Sequence, residues 1–350
     1  MKLKQISTLL LLLTALLNSN AQVTDFVTGL SGPTDMILVG DYLYVAEWDA
    51  NKISKIDVTA ETPVAVDVVT GLDNPAGLVL KGNDLYIAEY NAFKVSKIDI
   101  TASNPTLTDV ATGLTHPYGL AISGDYLYVA ESDGQRVSKI DLTSSSPTNE
   151  RVIKYLKDIR GIMIDGNDLY ITQLDSNKVS KVDITLSTPS IVNVVTGLQG
   201  PYGLHKIGNF LYISETNGGK VSKVDLTNSA PTLVEVASGL GDPDGMASKD
   251  SVLFIADYST GKIYKSSVAT ASVETLKLKN SLTLSPNPTS DFVQFTNLIG
   301  SQEFRVQNSL GETLISGNVV GDKKIDVRNL DNGVYFIQLG TGASLKFVKF

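Results

Sequence analysis

Apolar and polar residues alternate in short runs between residues 117 and 153, and this pattern predicts a unit of four strands. A first strand follows residue 117, and Gly124 and Asp125 then turn the chain. Residues 126–131 form a second strand rich in aromatic and β-branched residues, and residues 136–141 form a third after a Ser-Asp-Gly turn. A stretch of Ser, Thr and Pro leads to a weaker fourth strand at 150–153.

The same unit recurs six times at a constant spacing of 42 residues, without insertion or deletion. The clearest marker of the repeat is a dipeptide that ends in Leu and in most units begins with Gly. It occurs at Gly29-Leu30, Gly71-Leu72, Gly113-Leu114, Tyr155-Leu156, Gly197-Leu198 and Gly239-Leu240. Four short strands in each repeat of this length are typical of a propeller blade. An open array would expose its end strands, whereas a ring of six blades would not. The sequence therefore predicts an all-β fold with a six-bladed β-propeller over residues 22–278.

Closure of the ring needs a strand from one end of the repeat region. Residues 23–27 resemble the fourth strand of the later units, and residues 272–276 are the alternative. We expect the N-terminal segment to complete the sixth blade as a clasp.

The chain changes character near residue 279 and continues as a different β pattern to Phe350. Its landmarks are a Pro-Asn-Pro opening at 286–288, an Asp-Asn-Gly turn at 331–333 and a Lys-rich last strand at 346–350. About seventy residues of this kind predict a small C-terminal β-sandwich over 279–350.

The Pro-Asn-Pro opening, the Leu-x-x-Gly-x-Tyr segment at 330–335 and the last strand together resemble the type A C-terminal sorting domain of the bacterial type IX secretion system. The resemblance implies a Gram-negative bacterium and a partner, the type IX machinery, that recognises residues 279–350. It also implies a protein that is either released or held at the cell surface.

The first 21 residues have the features of a signal peptide. Two Lys residues precede a Leu-rich run, and small residues follow at 19–21. The apolar run is short for a membrane span, and no later segment is apolar enough to be a transmembrane segment.

Composition excludes several functional classes. The chain contains no Cys, which excludes disulfides, thiolate metal sites and a thiol nucleophile. Its formal net charge of −8 makes nucleic acid an unfavourable partner, because the surface would repel phosphates.

The repeated loop-Pro-x-Gly-strand pattern resembles propellers of the NHL type and, more distantly, the regucalcin/gluconolactonase and virginiamycin B lyase-like propellers. The resemblance implies the fold and leaves the activity open, because one propeller framework supports unrelated functions. Those enzymes place a divalent metal in the channel, so calcium or magnesium is the cofactor that the resemblance would imply. No ligand set for it can be matched here, and Asp242-Pro243-Asp244-Gly245 lacks the other ligands of a calcium loop.

A repeated acid ends the second strand of most units and is followed five residues later by a base. The acids are Glu47, Glu89, Glu131, Glu215 and Asp257, with Gln173 in the fourth unit. One interpretation is that these acids form a ring of ligands for a metal ion. We favour one cross-strand ion pair in each blade, because a residue used in every blade serves the blade better than a single ligand.

Function is better sought where the copies differ. The residue between Pro and Gly varies as Thr34, Ala76, Tyr118, Arg160, Tyr202 and Asp244. The residue after the acid varies as Trp48, Tyr90, Ser132, Leu174, Thr216 and Tyr258. By the propeller resemblance, both positions lie on one face around the mouth of the central channel. Aromatic faces with hydrogen-bonding groups suit sugars or peptides.

The candidate ligand-binding residues are Trp48, Tyr90, Tyr118, Arg160, Tyr202, His205 and Asp244. The sequence predicts no catalytic set and no metal ligands, since it holds neither a Gly-x-Ser-x-Gly nor a phosphate-loop motif. We therefore favour a secreted or cell-surface binding protein for a glycan, peptide or protein. The alternatives are a metal-dependent lactonase or lyase, and a structural or adhesion scaffold in which these residues only cover the mouth.

Overall fold

The structure is a computed structural model that describes residues 23–268, 283–296, 298, 301–308, 312–320, 323–339 and 344–350. Its contacts divide the chain into two compact units, Met1–Thr270 and Ala271–Phe350. The predicted signal peptide, residues 1–21, and the alternative closing segment, 272–276, lie outside the described residues.

The first unit consists of six antiparallel sheets of four strands, so the predicted six-bladed propeller is confirmed. The first three blades contain β2 (Pro33–Val39), β3 (Tyr42–Glu47), β4 (Lys52–Asp57), β5 (Ala65–Thr70), β6 (Pro75–Lys81), β7 (Asp84–Glu89), β8 (Lys94–Asp99), β9 (Thr108–Thr112), β10 (Pro117–Ser123), β11 (Tyr126–Glu131), β12 (Arg136–Asp141) and β13 (Glu150–Lys154). The next two contain β14 (Ile159–Asp165), β15 (Asp168–Gln173), β16 (Lys178–Asp183), β17 (Val192–Thr196), β18 (Pro201–Ile207), β19 (Phe210–Glu215), β20 (Lys220–Asp225) and β21 (Val234–Ser238), with a 3₁₀ turn at Thr216–Gly218. The sixth contains β22 (Pro243–Lys249), β23 (Val252–Asp257), β24 (Lys262–Ser267) and β1 (Thr24–Thr28).

The N-terminal strand closes the ring, as the sequence predicted. Strand β1 pairs antiparallel with β24, with Thr28 opposite Lys262 and Thr24 opposite Lys265. Asp25 of β1 also accepts from the Lys262 ammonium at 3.0 Å. The first described strand therefore joins the last blade, and the sixth sheet depends on both ends of the propeller.

Side chains on the second strand of each blade are buried on both faces, because each blade is covered by a neighbour on either side. Leu127 and Val129 of β11 pack in a cluster with the second blade, whereas Tyr128 and Ala130 pack with the fourth. All four are almost inaccessible to solvent. This explains why the second strands are continuous apolar runs and do not alternate with polar residues.

Close approach of the six innermost strands at the axis requires glycine. A Cβ atom on Gly119 would lie 2.4 Å from the carbonyl oxygen of Arg160 in the next blade, and one on Gly161 would lie 2.3 Å from that of Tyr202. In the first blade Asp35 takes the place of this glycine, and its carboxylate accepts from the Leu78 N–H of the next blade at 2.8 Å.

The repeated acid proves to be structural, and its contacts extend beyond the predicted ion pair. Glu131 is fully buried and forms a bidentate pair with Arg136, at 2.7 Å for each bond. It also accepts from the Thr115 N–H at 2.7 Å and from the Ser138 hydroxyl. The carboxylate therefore fastens the entry loop of the blade to its third strand.

The predicted acid–base pair holds in four blades and not in the sixth. The Lys Nζ to Glu Oε1 distances are 3.4, 3.5 and 3.8 Å in the first, second and fifth blades. In the sixth blade Lys262 contacts Asp25 of the closing strand, and Asp257 instead accepts from the N–H groups of Gly241 and Asp242. The first two blades make the equivalent contact to the fourth strand, Lys52 to Asp67 at 2.6 Å and Lys94 to Asp109 at 2.7 Å. Among the described residues, the sixth blade therefore keeps this contact and lacks only the one to its own acid.

The second unit consists of two antiparallel sheets around one core, so the predicted C-terminal sandwich is confirmed. Its strands are β25 (Thr283–Ser285), β26 (Phe292–Thr296), β27 (Ser301–Gln307), β28 (Thr313–Val320), β29 (Lys324–Asp326), β30 (Gly333–Leu339) and β31 (Ser344–Lys349). The sheet orders are β25-β26-β29 and β28-β27-β30-β31. Phe295 from one sheet and Phe347 from the other are buried in the shared core.

We expect Glu131→Ala to lower the free energy of unfolding by about 3 kcal/mol or more, because it leaves Arg136 and a buried backbone N–H without their partner. Glu131→Gln should cost clearly less, since Gln173 already occupies this position in the fourth blade and accepts from Ser180 at 2.8 Å. Urea unfolding of both variants measures the difference. Equal losses for Ala and Gln would contradict this expectation, because they would show that the negative charge paired with Arg136, which both variants lack, accounts for the whole contribution.

Candidate functional site

The two sets of variable residues meet on one face of the propeller. One set lies at the start of the innermost strands and the other in the hairpins that follow the second strands. Together they enclose a cavity of about 270 Å³ at the channel mouth, lined by Thr34, Trp48, Tyr90, Tyr118, Arg160, Tyr202, Thr216, Asp242, Asp244 and Tyr258. Six of the seven candidate residues from the sequence are in this lining, and His205 is not.

One wall of the cavity is aromatic. The ring centroid of Trp48 lies 5.0 Å from that of Tyr90 and 6.0 Å from that of Tyr118. Tyr118 in turn meets Tyr202 edge-on at 5.3 Å, and the Tyr202 hydroxyl donates to the Tyr118 hydroxyl. Burial raises the pKa of both phenols well above 10, so both remain neutral hydrogen-bonding groups at physiological pH.

Arg160 lies against this wall. Its guanidinium carbon is 5.2 Å from the ring centroid of Tyr118 and 5.8 Å from that of Tyr202, within the range of cation–π attraction. Its Nη2 pairs with Asp158 at 2.8 Å. Its Nε is buried and has no hydrogen-bond partner among the described residues. A buried donor of this kind is costly unless an acceptor is supplied from outside the protein.

The opposite side of the cavity is acidic. Asp244 is buried, and the hydroxyl of Thr216 lies 3.2 Å from its Oδ1. Burial raises the pKa of Asp244 well above its ordinary value, which favours a protonated carboxyl that can donate as well as accept. Tyr258 reaches Asp49 of the neighbouring blade at 3.2 Å.

His205 lies further along the innermost strand β18 and outside the cavity lining. Its Nε2 is 2.8 Å from the hydroxyl of Ser248 on the next blade, and burial lowers its pKa to about 4. His205 is therefore a neutral side chain in the contact between two innermost strands. Burial acts in the opposite direction on Asp35 in the channel, whose pKa is raised to about 7.

Four lining residues were missing from the sequence-based set, namely Thr34, Thr216, Asp242 and Tyr258. Three of them occupy the same repeat positions as predicted residues, so the 42-residue spacing contained the signal. Asp242 could not be found in this way, because it belongs to neither variable set. Ala76, Ser132 and Leu174 hold equivalent positions and do not line the cavity.

Among the residues that the structure describes, no group of three or more His, Asp or Glu side chains could hold a metal ion. Within the same residues, the structure contains no helix with the length and hydropathy needed to cross a membrane.

The fold and the tail define the class of protein, a β-propeller with a C-terminal export domain. Residues 283–350 match the secretion system C-terminal sorting domain, and residues 32–58 and 118–137 match the LVIVD repeat. The sorting domain indicates a substrate of type IX secretion that is extracellular or at the cell surface. No curated protein is similar enough in sequence to be a match.

Solved structures with the same architecture are distant in sequence and support the fold alone. An auxiliary nutrient binding protein from Bacteroides ovatus superposes with a TM-score of 0.59 at 14% identity, covering 71% of this chain and 76% of that one. Virginiamycin B lyase from Staphylococcus aureus superposes with a TM-score of 0.53 at 14% identity, covering 71% of this chain and 98% of that one. A putative gluconolactonase superposes with a TM-score of 0.60 at 9% identity, covering 72% of this chain and 93% of that one.

The two shifted pKa values predict opposite pH dependences of stability. The unfolded state takes up a proton at His205 between pH 6.5 and about 4 whereas the folded state does not, so acidification should favour unfolding. The native protein should therefore lose up to about 3 kcal/mol relative to a His205→Asn variant over this range.

At Asp35 the folded state takes up the proton first, between pH 7 and 3.8, so acidification should favour folding. Relative to an Asp35→Asn variant, the native protein should gain stability over that range. Urea unfolding at several pH values measures both differences. Two differences of the same sign would contradict the assigned burial of one of the groups.

Proposed function

We propose that the protein is a binding protein, exported by the type IX system, that captures a polar ligand such as a glycan or peptide in the cavity at the channel mouth. One observation carries the proposal. The cavity is lined by the positions in which otherwise near-identical blades differ, and these positions supply aromatic rings, one arginine and carboxyl groups.

The chemistry of the lining supports a polar ligand with flat apolar faces. Trp48, Tyr90 and Tyr118 provide ring surfaces, while Arg160 and Asp244 provide a donor and a carboxyl on opposite sides. Sugars and peptides combine apolar and hydrogen-bonding faces in this way. The volume of about 270 Å³ suits a small unit rather than a whole protein domain.

Export is consistent with this role. The C-terminal sorting domain indicates delivery to the outside, where polysaccharides and peptides are available. A relative in fold is described as an auxiliary nutrient binding protein, which agrees with capture of a nutrient although it does not identify one.

Binding also accounts for the lining better than catalysis or scaffolding. Arg160 is held against the aromatic wall by Tyr118 and paired with Asp158, so it presents a fixed donor to a bound ligand. A purely structural propeller would have no need for a buried arginine Nε without a partner.

Trp48 is the single tryptophan of the chain and lies in the cavity wall, so its fluorescence reports binding directly. We expect titration of the full-length secreted protein with soluble saccharides and peptides to change its emission for one of these classes. Tyr90→Ala should weaken that binding about tenfold or more, because aromatic anchors contribute at least about 1.4 kcal/mol.

Tyr42→Ala is the matched control, because Tyr42 is an exposed tyrosine at the start of β3, the end of that strand remote from the cavity. It should leave both the emission and the affinity unchanged. No response of Trp48 to either class, or equal losses in Tyr90→Ala and Tyr42→Ala, would contradict a ligand site at the channel mouth.

A further inference from the structure

Three aromatic residues have a left-handed backbone among the described residues. Phe93 lies in a hairpin of the second blade, and His116 and Tyr155 lie in the loops that enter and leave the third. Phe93 has φ 55°, His116 has φ 48° and Tyr155 has φ 66°. This conformation is unfavourable for bulky residues and normal for glycine and asparagine. Their equivalents in the other blades are mostly such residues.

The fold imposes this backbone at position 93 and does not use the phenyl ring. The Phe93 carbonyl accepts from the Leu114 N–H at 3.0 Å, and every other blade repeats this bond. The residues at its equivalent positions are Asn51, Gln135, Asn177, Gly219 and Gly261. The phenyl ring itself is 44% exposed.

Asparagine would serve the fold better at this position. The Oδ1 of Asn51 accepts from the Asn74 N–H at 2.9 Å, and Asn177 makes the same bond to Gly200. A phenylalanine has no acceptor to offer the equivalent N–H of His116. Tyr155 is similar, because the other five blades have glycine there and its side chain is 79% exposed.

His116 connects these outer residues to the cavity. Its ring centroid lies 4.8 Å from that of Phe93 and 4.4 Å from that of Tyr90, which lines the cavity. Its Nδ1 lies 2.8 Å from Asp133 in the hairpin of the third blade. A continuous aromatic contact thus leads from the channel mouth to an exposed phenylalanine.

An open polar groove shares the lining residue Arg160 with the cavity. Its volume is about 580 Å³, and it is lined by Ser132, Asp133, Gln135, Lys157, Asp158, Arg160 and Asp175. Arg160 belongs to both linings, and the buried Nε without a partner lies on this side chain. A ligand that filled both spaces would have to be longer than one unit.

We propose that the loops around the third blade extend the cavity into an elongated site for an oligosaccharide, with Phe93, His116 and Tyr155 as its outer contact residues. This rests on the proposed ligand-binding function and names the class of ligand. The groove is lined by polar and charged residues that offer donors and acceptors. His116 contacts its lining residue Asp133 and packs against Phe93, and Tyr155 precedes its lining residue Lys157 by two positions. That combination suits a sugar chain, whereas an extended peptide requires apolar pockets for its alternate side chains.

The test replaces each residue by one that other blades use, as Phe93→Asn, His116→Asn and Tyr155→Gly in the full-length protein. These changes relieve strained backbone, so the thermal unfolding midpoint should stay equal or rise. Calorimetry with cello-, xylo-, manno-, laminari- and chito-oligosaccharides should show about tenfold weaker binding of the longer oligomers by the triple variant. In a Phe93→Asn/Tyr155→Gly variant, which keeps the His116 ring against Tyr90, binding of the shortest saccharide that occupies the central cavity should not change.

Asp250→Gly is the control for relief of strain alone. Asp250 has φ 52° at a position where the other blades have glycine, in a hairpin at the opposite end of the blade from the cavity. It should leave the thermal unfolding midpoint equal or higher, and it should match the native protein in affinity at every chain length.

The outcomes separate this inference from the proposed function. Short saccharides that bind through Tyr90, with long ones unaffected by the triple variant, would overturn the elongated site and leave the central cavity intact. Peptides that bind in place of saccharides would overturn the assigned ligand class. No binding of either class would overturn both proposals.

Discussion

Six strands can surround one axis only if their backbones come into near contact, and this constraint governs the whole propeller. Gly119 and Gly161 allow it, because a single methyl group on either would collide with a carbonyl of the next blade. Once the innermost strands are so placed, the loops that precede them converge on one mouth. The residue beside each glycine is then carried to the rim of the channel, where it is free to vary. The same constraint that makes the blades alike therefore brings together side chains in which they differ.

A buried carboxylate in five of the six blades fixes the loops that precede the innermost strands, and Gln173 takes its place in the fourth. Glu131 joins the entry loop through Thr115 to the third strand through Arg136 and Ser138. A loop fixed by a buried, fully hydrogen-bonded acid can hold its neighbours, such as Tyr118, in a defined position over the cavity. The apparent ring of acids is thus a support for the site and not the site itself.

Stability and function separate in a hairpin of the second blade and in the two loops that flank the third. Phe93, His116 and Tyr155 adopt a backbone that their side chains disfavour, although neighbouring copies show which residues fit without strain. Strained positions persist in proteins where a side chain serves a role other than folding. An internal repeat reveals such positions within one chain, because the residues at the equivalent positions of the other blades show what the fold alone requires.

The sequence by itself determined the number of blades, the strand order within them and the tail, because these follow from a fixed spacing and from local turn chemistry. It left two segments as candidates for the closing strand, and only the pairing in the closed ring decided between them. It also located most of the cavity lining, since residues 42 positions apart must occupy equivalent places on a ring. It could not place His205, which has the chemistry of a site residue and lies in a contact between strands. Three features depend on distances between different blades, which only the closed ring decides. They are the place of Asp242 in the cavity lining, the position of Arg160 in two linings, and the contact of His116 with Tyr90.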